Sequence, residues 1–169
     1  MTRAYFNETQ KFRQWWVYLI IIITIVSWGY AFISSLQAEE AKKATDDFIL
    51  ILTSIVPILL IVILISLRLV TKIRNDGIFI QFKPLQFREK HIKPEEIRSY
   101  EVRKYRPLIE YGGWGIRTGG KKYGKAYNVA GNMGLQLYLE NGKKLLIGTQ
   151  KPGDVEKAMK TMMEVDVRR

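Results

Sequence analysis

Two long apolar runs constrain this chain more than any other feature. The first, WWVYLIIIITIVSWGYAFISSL, occupies residues 15–36, and the second, FILILTSIVPILLIVILISL, occupies residues 48–67; neither contains Asp, Glu, Lys, Arg or His. At about 1.5 Å per residue, helices of these lengths span roughly 30 Å, the thickness of the hydrocarbon core of a bilayer. Helices of soluble proteins usually keep one polar face, and these runs have none. The sequence therefore predicts two transmembrane helices, over about 15–36 and 48–70, joined by a short external loop.

The charges that flank these runs predict their orientation. The segment between the runs carries four acidic residues against two lysines, whereas basic residues dominate before the first run and after the second. Because Lys and Arg concentrate in the cytoplasmic loops of membrane proteins, we predict that both termini are cytoplasmic. Residues 1–14 are then a cytoplasmic tail, and the chain is a multi-pass protein of the plasma membrane.

Two groups of residues in the first run indicate contacts with its surroundings. Aromatic residues at its start are predicted to lie at the level of the lipid headgroups; they are Trp15, Trp16 and Tyr18. Small residues at four-residue steps let helices approach closely; this helix-packing stripe is Ser27, Ala31 and Ser35. The stripe would pack on the second helix, on a second copy of the chain or on another protein, and chance spacing of small residues is the alternative.

The rest of the chain is strongly basic. The whole chain has 27 Lys and Arg against 16 Asp and Glu, a formal net charge of +11, and residues 71–169 hold 21 and 11 of these, a net charge of +10. Such an excess indicates an anionic partner, either a membrane surface or a nucleic acid. A bilayer already accounts for it, so nucleic acid is the less favoured partner. The basic residues that directly follow the second run are predicted to contact anionic lipid headgroups, with ordinary solubilising charge as the alternative; they are Arg68, Lys72 and Arg74.

Residues 71–169 show the alternation of apolar and polar residues that is typical of strands. Asp76-Gly77 and Asn141-Gly142 predict two hairpin turns. After Gly148 the apolar spacing becomes helical, and an apolar face that packs on the sheet is predicted for the residues Val155, Met159, Met162 and Met163.

These patterns together predict an α+β fold. An N-terminal transmembrane helical hairpin over residues 15–70 is followed by a small antiparallel β sandwich or barrel over residues 71–169. We expect six or seven short strands and a C-terminal helix that closes the sheet.

The sequence lacks the parts of the common catalytic sites. It has no cysteine and a single histidine, His91, which leaves no thiolate or His-based metal site and no Ser-His-Asp triad. The glycine-rich stretch YGGWGIRTGG, residues 111–120, lacks the G-x-x-x-x-G-K-[ST] pattern of a phosphate-binding loop. We therefore predict no catalytic residues, no cofactor, no metal and no enzymatic activity.

The glycine-rich stretch divides into two predicted features. Trp114 and Ile116 share one face of a strand, and TGGKKYG, residues 118–124, reads as a basic, mobile loop. A packed aromatic ring, Tyr111 or Tyr127, or a partner's strand is expected against the bare backbone of this strand. The candidate partner surface consists of Trp114, Gly115, Arg117, Lys121 and Lys122.

The motifs EEI, residues 95–97, YRPLIEYGGWGIR, residues 105–117, and IGTQ, residues 147–150, resemble those of uncharacterised bacterial two-span membrane proteins with a pleckstrin-homology-like (PH-like) domain. The resemblance covers residues 72–163. It implies a seven-stranded sandwich with a C-terminal helix, attached to the membrane, and no established activity. We predict a non-enzymatic binding or scaffold role, through protein partners or lipid headgroups. A subunit of a larger membrane complex, assembled through the transmembrane helices, and a sensor of anionic lipid headgroups are the alternatives.

Overall fold

The computed structural model of the chain describes residues 4–12, 15–36 and 43–167. Within these ranges, its description does not extend to the side chains of residues 35–36, 43–54 and 166–167, nor to that of Trp16. The predicted external loop, residues 37–42, lies outside the described residues. The chain forms two compact units: a helical unit over Phe12–Ser66, and a sheet unit built from the residues on either side of it.

The helical unit contains two long helices that contact each other; they are α1, Trp15–Leu36, and α2, Lys43–Ser66. The predicted first helix matches α1. The predicted second helix, 48–70, extends too far, because the chain becomes a strand at Arg68, where exposed and buried residues begin to alternate. Pro57 lies inside α2 without ending it.

A four-stranded antiparallel sheet begins the sheet unit, in the order β1-β2-β3-β4. Its strands are β1, Ala4–Lys11; β2, Arg68–Arg74; β3, Gly77–Lys83; and β4, Lys90–Ile92. The N-terminal tail predicted over residues 1–14 is wrong for Ala4–Lys11, which form β1. The three buried residues of this strand are Phe6, Glu8 and Gln10, and only Phe6 is apolar. The alternation of apolar and polar residues is therefore too weak to predict the strand.

A five-stranded sheet has the order β5-β8-β9-β7-β6. Its strands are β5, Ile97–Lys104; β6, Gly115–Thr118; β7, Lys125–Asn128; β8, Met133–Leu139; and β9, Lys144–Gly148. Both predicted hairpins are confirmed, but the turn of the first is Asn75-Asp76 rather than Asp76-Gly77, because Gly77 already pairs with Arg74 as the first residue of β3. The prediction of a wholly antiparallel sheet is wrong at β7 and β9, which pair in parallel. This happens because β8 folds back on the far side of β9, so that β9 runs in the direction of β7.

Three further helices complete the sheet unit: α3, Pro107–Tyr111; α4, Gly120–Tyr123; and α5, Pro152–Val167. A single 3-10 turn, Pro94–Glu96, precedes β5. Helix α5 contacts strands of both sheets. Its residues Val155, Met159 and Met162 are buried, which confirms the predicted apolar face. The segment predicted to hold six or seven strands contributes eight, β2–β9, and β1 from the N-terminal side makes nine among the described residues. The coarse α+β prediction with a C-terminal helix is confirmed.

Candidate functional site

An apolar cluster lies on one face of the five-stranded sheet. Ala126 of β7 and Leu146 of β9 are register partners on that face. The short helices α3 and α4 contribute Tyr111 and Tyr123 above them. The cluster consists of Tyr105, Tyr111, Ala126 and Leu146, with Tyr123 partly buried against it. Helix α3 ends at Gly112, which takes the left-handed conformation that suits glycine. The two helices form one wall of an open groove.

The groove has a volume of about 340 Å³ and is lined by polar and aromatic side chains from five elements. Strands β5, β8 and β9 form its floor, and α3 and α4 form its wall. The lining residues are Glu101, Arg103, Glu110, Lys122, Tyr123, Gln136, Tyr138 and Lys144. We call this set the sheet groove.

Arg103 organises the floor of the sheet groove. Its Nη2 lies 2.7 Å from Glu110 Oε2 and 3.0 Å from Gln136 Oε1. Glu110 also accepts a hydrogen bond from the backbone N–H of Arg106, at 2.8 Å. Burial of Glu110 favours its protonated form, but these hydrogen bonds and the two arginine charges outweigh burial and hold the pKa of its carboxyl below the ordinary value. The Glu110 charge is therefore already neutralised by Arg103.

Two tyrosine hydroxyls near the sheet groove donate hydrogen bonds to acceptors other than Glu110. Tyr138 donates a hydrogen bond of 2.6 Å to Glu101, and this bond raises the pKa of the Tyr138 hydroxyl. Tyr111 donates to the carbonyl oxygen of Tyr123 at 3.2 Å, and burial raises the pKa of Tyr111 to about 12. Neither phenol is poised to lose a proton near neutral pH.

Two lysines remain as the available charges of the sheet groove. Lys144 Nζ donates to the carbonyl oxygen of Lys122 at 3.0 Å and lies 5.8 Å from the ring centroid of Tyr138. Lys122 Nζ lies 5.2 Å from the ring centroid of Tyr123. Within the described ranges, neither ammonium group forms an ion pair with a carboxylate. The sheet groove can therefore bind an anionic group through two ammonium groups set beside aromatic rings.

The groups of a metal centre do not converge in the part of the chain that the structure describes. No cluster of three or more His, Asp or Glu residues there has the geometry to hold an ion. The predicted absence of a metal, a cofactor and catalytic residues stays a prediction.

The candidate partner surface predicted from the sequence is divided between two elements. Gly115 and Arg117 belong to the edge strand β6, which Trp114 precedes, and Lys121 and Lys122 belong to α4. Only Lys122 lines the sheet groove. The mobile loop predicted over residues 118–124 is wrong, because a turn of helix occupies Gly120–Tyr123.

The glycines of this region are held by a side chain from β7. Asn128 Oδ1 accepts a hydrogen bond from the N–H of Gly115 at 2.9 Å. Gly113 and Gly115 have φ values of 125° and 115°, which L side chains rarely adopt. The nearest group to either glycine on its open side is the guanidinium of Arg117, rather than the ring of Tyr111 or Tyr127. The expectation of Tyr111 or Tyr127 at this place is therefore wrong. A partner's strand at this place stays a prediction.

The predicted membrane-surface residues lie along one strand, β2. Arg68 is exposed at the start of the strand. Lys72 forms an ion pair of 2.7 Å with Glu89, and the guanidinium of Arg74 lies 5.1 Å from the ring centroid of Phe79. Arg74 is six residues from Arg68, about 20 Å along the strand. The membrane contact stays a prediction. Among the three residues, Arg68 suits it best, because it is exposed and follows the end of α2 by two residues.

The predicted features of the first helix fall on its exposed sides. Trp15 and Tyr18 are 75% and 55% exposed. Ser27 and Ala31 are also exposed, whereas the less exposed face of α1 carries Ile21, Thr24, Trp28 and Phe32. Trp16 and Ser35 have side chains outside the described part. The stripe therefore lies away from the less exposed face, free to contact another helix.

One helix within the described residues is long and apolar enough to cross a membrane. Its span is Val17–Ser34, with a mean hydropathy of 2.1, and α2 contributes a shorter apolar stretch over Ile55–Ser66. Because the side chains of residues 43–54 lie outside the description, the second predicted crossing stays a prediction.

Most residues of the sheet groove were not found from the sequence. Those missed are Glu101, Arg103, Glu110, Tyr123, Gln136, Tyr138 and Lys144. The available signal was alternation: in RSYEVRKY and GLQLYL, the polar residues occupy every second position, which places them on one face of two strands. Nothing in the sequence shows that these two strands are neighbours, or that α3 returns Glu110 to the same face.

The described residues form an α+β arrangement of two β sheets and a C-terminal helix. The five-stranded sheet contains a parallel strand pair, and the PH-like resemblance stays an expectation. Comparisons of the chain with protein-family models, with curated proteins and with solved structures found no match.

Proposed function

We propose that this chain is a membrane-anchored binding protein without enzymatic activity. In this proposal, α1 and α2 cross the plasma membrane as a hairpin, both termini are cytoplasmic, and the sheet unit is a PH-like binding module. The observation that carries the proposal is the pairing of β1, which precedes α1, with β2, which follows α2. A single crossing would put these strands on opposite sides of the bilayer, whereas two crossings return the chain to the same side.

The surface of the helices supports the bilayer as their surroundings. Large apolar side chains on both helices are more than half exposed, among them Ile22, Val26, Val56 and Ile65. Exposure of this much apolar area to water would be costly. The hydroxyls of Thr24 and Ser34 donate to carbonyl oxygens of their own helix, at 2.8 Å and 2.9 Å. These polar groups therefore need no water.

Single cysteines can test the crossing, because the chain has none of its own. Asn7→Cys and Lys143→Cys place exposed thiols on β1 and beside the β8–β9 turn. In sealed vesicles, a membrane-impermeant maleimide should label both from the same side and Glu40→Cys from the other. Labelling of positions 7 and 143 from opposite sides would contradict the hairpin.

The ligand chemistry follows from the sheet groove. Its lining has two carboxylates and three cations, a net charge of +1. The carboxylates accept hydrogen bonds from Arg103 and Tyr138, whereas the ammonium groups of Lys122 and Lys144 form no ion pair with a described carboxylate. We therefore propose that the groove binds a carboxylate-bearing segment of a protein partner. Aromatic rings beside the two ammonium groups suit such a segment, because they offer apolar contact next to the charge.

A charge-matched pair of variants can test this binding. In the full chain, Lys122→Glu/Lys144→Glu reverses the two charges of the groove, and Lys121→Glu/Lys143→Glu reverses their exposed sequence neighbours outside it. With a fluorescent hexaglutamate peptide as probe, the groove variant should bind about tenfold more weakly than the control variant. Equal weakening by both variants would show a general charge effect and would overturn the groove as the binding site.

A larger membrane complex is a second candidate, favoured by the exposure of Ser27 and Ala31 on α1. Small residues on a lipid-facing surface allow a further helix to approach closely. Ala31→Leu should then reduce the amount of cross-linked oligomer in gently extracted membranes. Ile33→Leu, which replaces an exposed side chain with one of the same size, should leave that amount unchanged. An oligomer unaffected by Ala31→Leu would exclude the stripe.

A further inference from the structure

The loop between β3 and β4, residues 84–89, exposes two large apolar side chains. Phe87 is 94% exposed and Leu85 is 59% exposed, and no other large apolar side chain described in the sheet unit is as exposed as Phe87. A single exposed apolar residue is common on protein surfaces. Two of them, separated only by Gln86 on one loop, call for a partner.

This loop is held in place by hydrogen bonds beneath the two side chains. Gln86 turns inward, where its N–H donates to the carbonyl of Phe82 at 2.8 Å and its Oε1 accepts from the N–H of Phe82 at 3.1 Å. The buried amide of Gln81 donates to the carbonyls of Gln86 and Phe87, at 3.2 Å and 3.1 Å. The loop is therefore an ordered support that presents Leu85 and Phe87 outward.

The strand register places the loop at a particular end of the four-stranded sheet. Lys11 pairs with Arg68, and Arg68 pairs with Lys83, the residue that precedes the loop. The chain therefore leaves for α1 and returns from α2 at this same end. Because α2 ends at Ser66, Arg68 lies within about 7 Å of the last residue of that helix.

The charges at this end suit an anionic surface. The exposed or half-buried cations are Lys11, Arg68, Lys83 and Arg88. The acidic residue of the loop, Glu89, is engaged by Lys72 at 2.7 Å. Apolar side chains flanked by cations are typical of segments that enter the interface of a bilayer with anionic lipids.

We propose that Leu85 and Phe87 insert into the headgroup region of the bilayer that α1 and α2 cross, while the flanking cations contact anionic headgroups. The inference rests on the proposed membrane anchoring. It makes this end of the sheet unit a second, reversible membrane contact in addition to the helices. Connectivity favours the bilayer over a protein partner, because the loop directly follows Lys83, and Lys83 pairs with Arg68, two residues after the end of α2.

The experiment uses the full chain in liposomes that contain anionic lipid. A single Arg88→Cys carries an environment-sensitive fluorophore next to the intact Phe87. Asp76→Cys carries the same label at the exposed β2–β3 turn, at the opposite end of the sheet. We expect lipids with a spin label near the headgroup to quench the label at position 88 and not the label at position 76. Leu85→Ser/Phe87→Ser should shift the docked equilibrium about fivefold toward the undocked state and reduce the quenching at position 88.

The outcomes separate this inference from the proposed anchoring. The two replaced side chains are exposed, so Leu85→Ser/Phe87→Ser should keep the circular dichroism spectrum of the parent. If the chain floats with liposomes at high salt but the label at position 88 stays unquenched, the loop does not dock and the anchoring stands. If the chain does not float with liposomes, the anchoring and the docking both fail. Quenching that persists in the serine variant would overturn the role of the two side chains.

Discussion

At the scale of single residues, buried polar side chains join the two ends of the chain. Glu8 of β1 is 6% exposed and accepts hydrogen bonds from the hydroxyl of Thr149, at 2.8 Å, and from the N–H of Gln150, at 2.9 Å. Gln10 donates to the carbonyl of Gly148 at 2.7 Å. These bonds tie the first strand to the segment that leads into α5.

Glu8→Ala should destabilise the sheet unit. The variant leaves the hydroxyl of Thr149 and the N–H of Gln150 without their acceptor, which costs about 1–3 kcal/mol. The measurement is the urea midpoint of the full chain in detergent, followed by circular dichroism. Glu95→Ala, at an exposed residue, is the control and should change the free energy of unfolding by less than about 0.5 kcal/mol. An equal effect of both variants would contradict the stabilising role of the Glu8 hydrogen bonds.

Glu110 should make the stability of the sheet unit depend on pH. Its folded pKa lies below the unfolded value of about 4.3, so its carboxylate adds stability above that pH and loses it as the pH falls through the folded pKa. Glu110→Gln should therefore be less stable than the parent at pH 7, and the difference should shrink toward pH 3. Urea unfolding at the two pH values measures this, with Glu140→Gln, at an exposed carboxylate, as the control. A difference that is constant with pH would show that the ion pair with Arg103 contributes nothing.

At the scale of elements, local patterns predict what is local. The Asn141-Gly142 turn joins two alternating runs, and the pattern of α5 changes from period two to a helical period, so both elements are readable from the sequence. Strand β1 is not, because Glu8 and Gln10 occupy buried positions that only distant partners make acceptable. The sheet groove cannot be predicted from the sequence for the same reason, since β5 and β8 become neighbours only through tertiary pairing.

The segment that covers the five-stranded sheet requires a glycine at position 119. A side chain at Gly119 would overlap the carbonyl oxygen of Glu110, and its Cβ would lie 2.7 Å from the Cβ of Tyr123. Gly119→Ala should therefore cost about 1–3 kcal/mol of stability and weaken binding of the acidic peptide to the groove. Gly153→Ala is the control, because the added methyl group would meet nothing within 4 Å. Differential thermal unfolding of the two variants tests the prediction, and matched melting curves would contradict it.

At the scale of the whole molecule, the helical unit is an insertion between two neighbouring strands. Lys11 and Arg68 are directly paired in the register of β1 and β2. The sheet unit is therefore continuous in space although its chain is interrupted. A fragment that starts at Leu67 lacks β1 and leaves the edge of β2 uncovered, which favours aggregation.

A two-residue turn should be able to replace the helical unit. Asn-Gly in place of residues 12–67 would join Lys11 to Arg68 as a type I′ hairpin. We expect this shortened chain to be a soluble monomer with a cooperative thermal transition. The fragment 67–169 is the comparison and should aggregate or unfold without a transition. Size-exclusion chromatography and circular dichroism decide between these outcomes, and a well-folded fragment would show that β1 is dispensable.

The pairing of β1 with β2 also sets the order in which the protein can be made. After Lys11 leaves the ribosome, 56 residues must follow before Arg68, the first residue of β2, is available. At about 5–20 residues per second, this takes roughly 3–11 s. The hydrogen bond between Glu8 and Thr149 forms later still, because Thr149 is 141 residues further along the chain. Synthesis of both helices therefore precedes completion of the sheet unit, and β1, which is made before either helix, is among the last elements to reach its final partners.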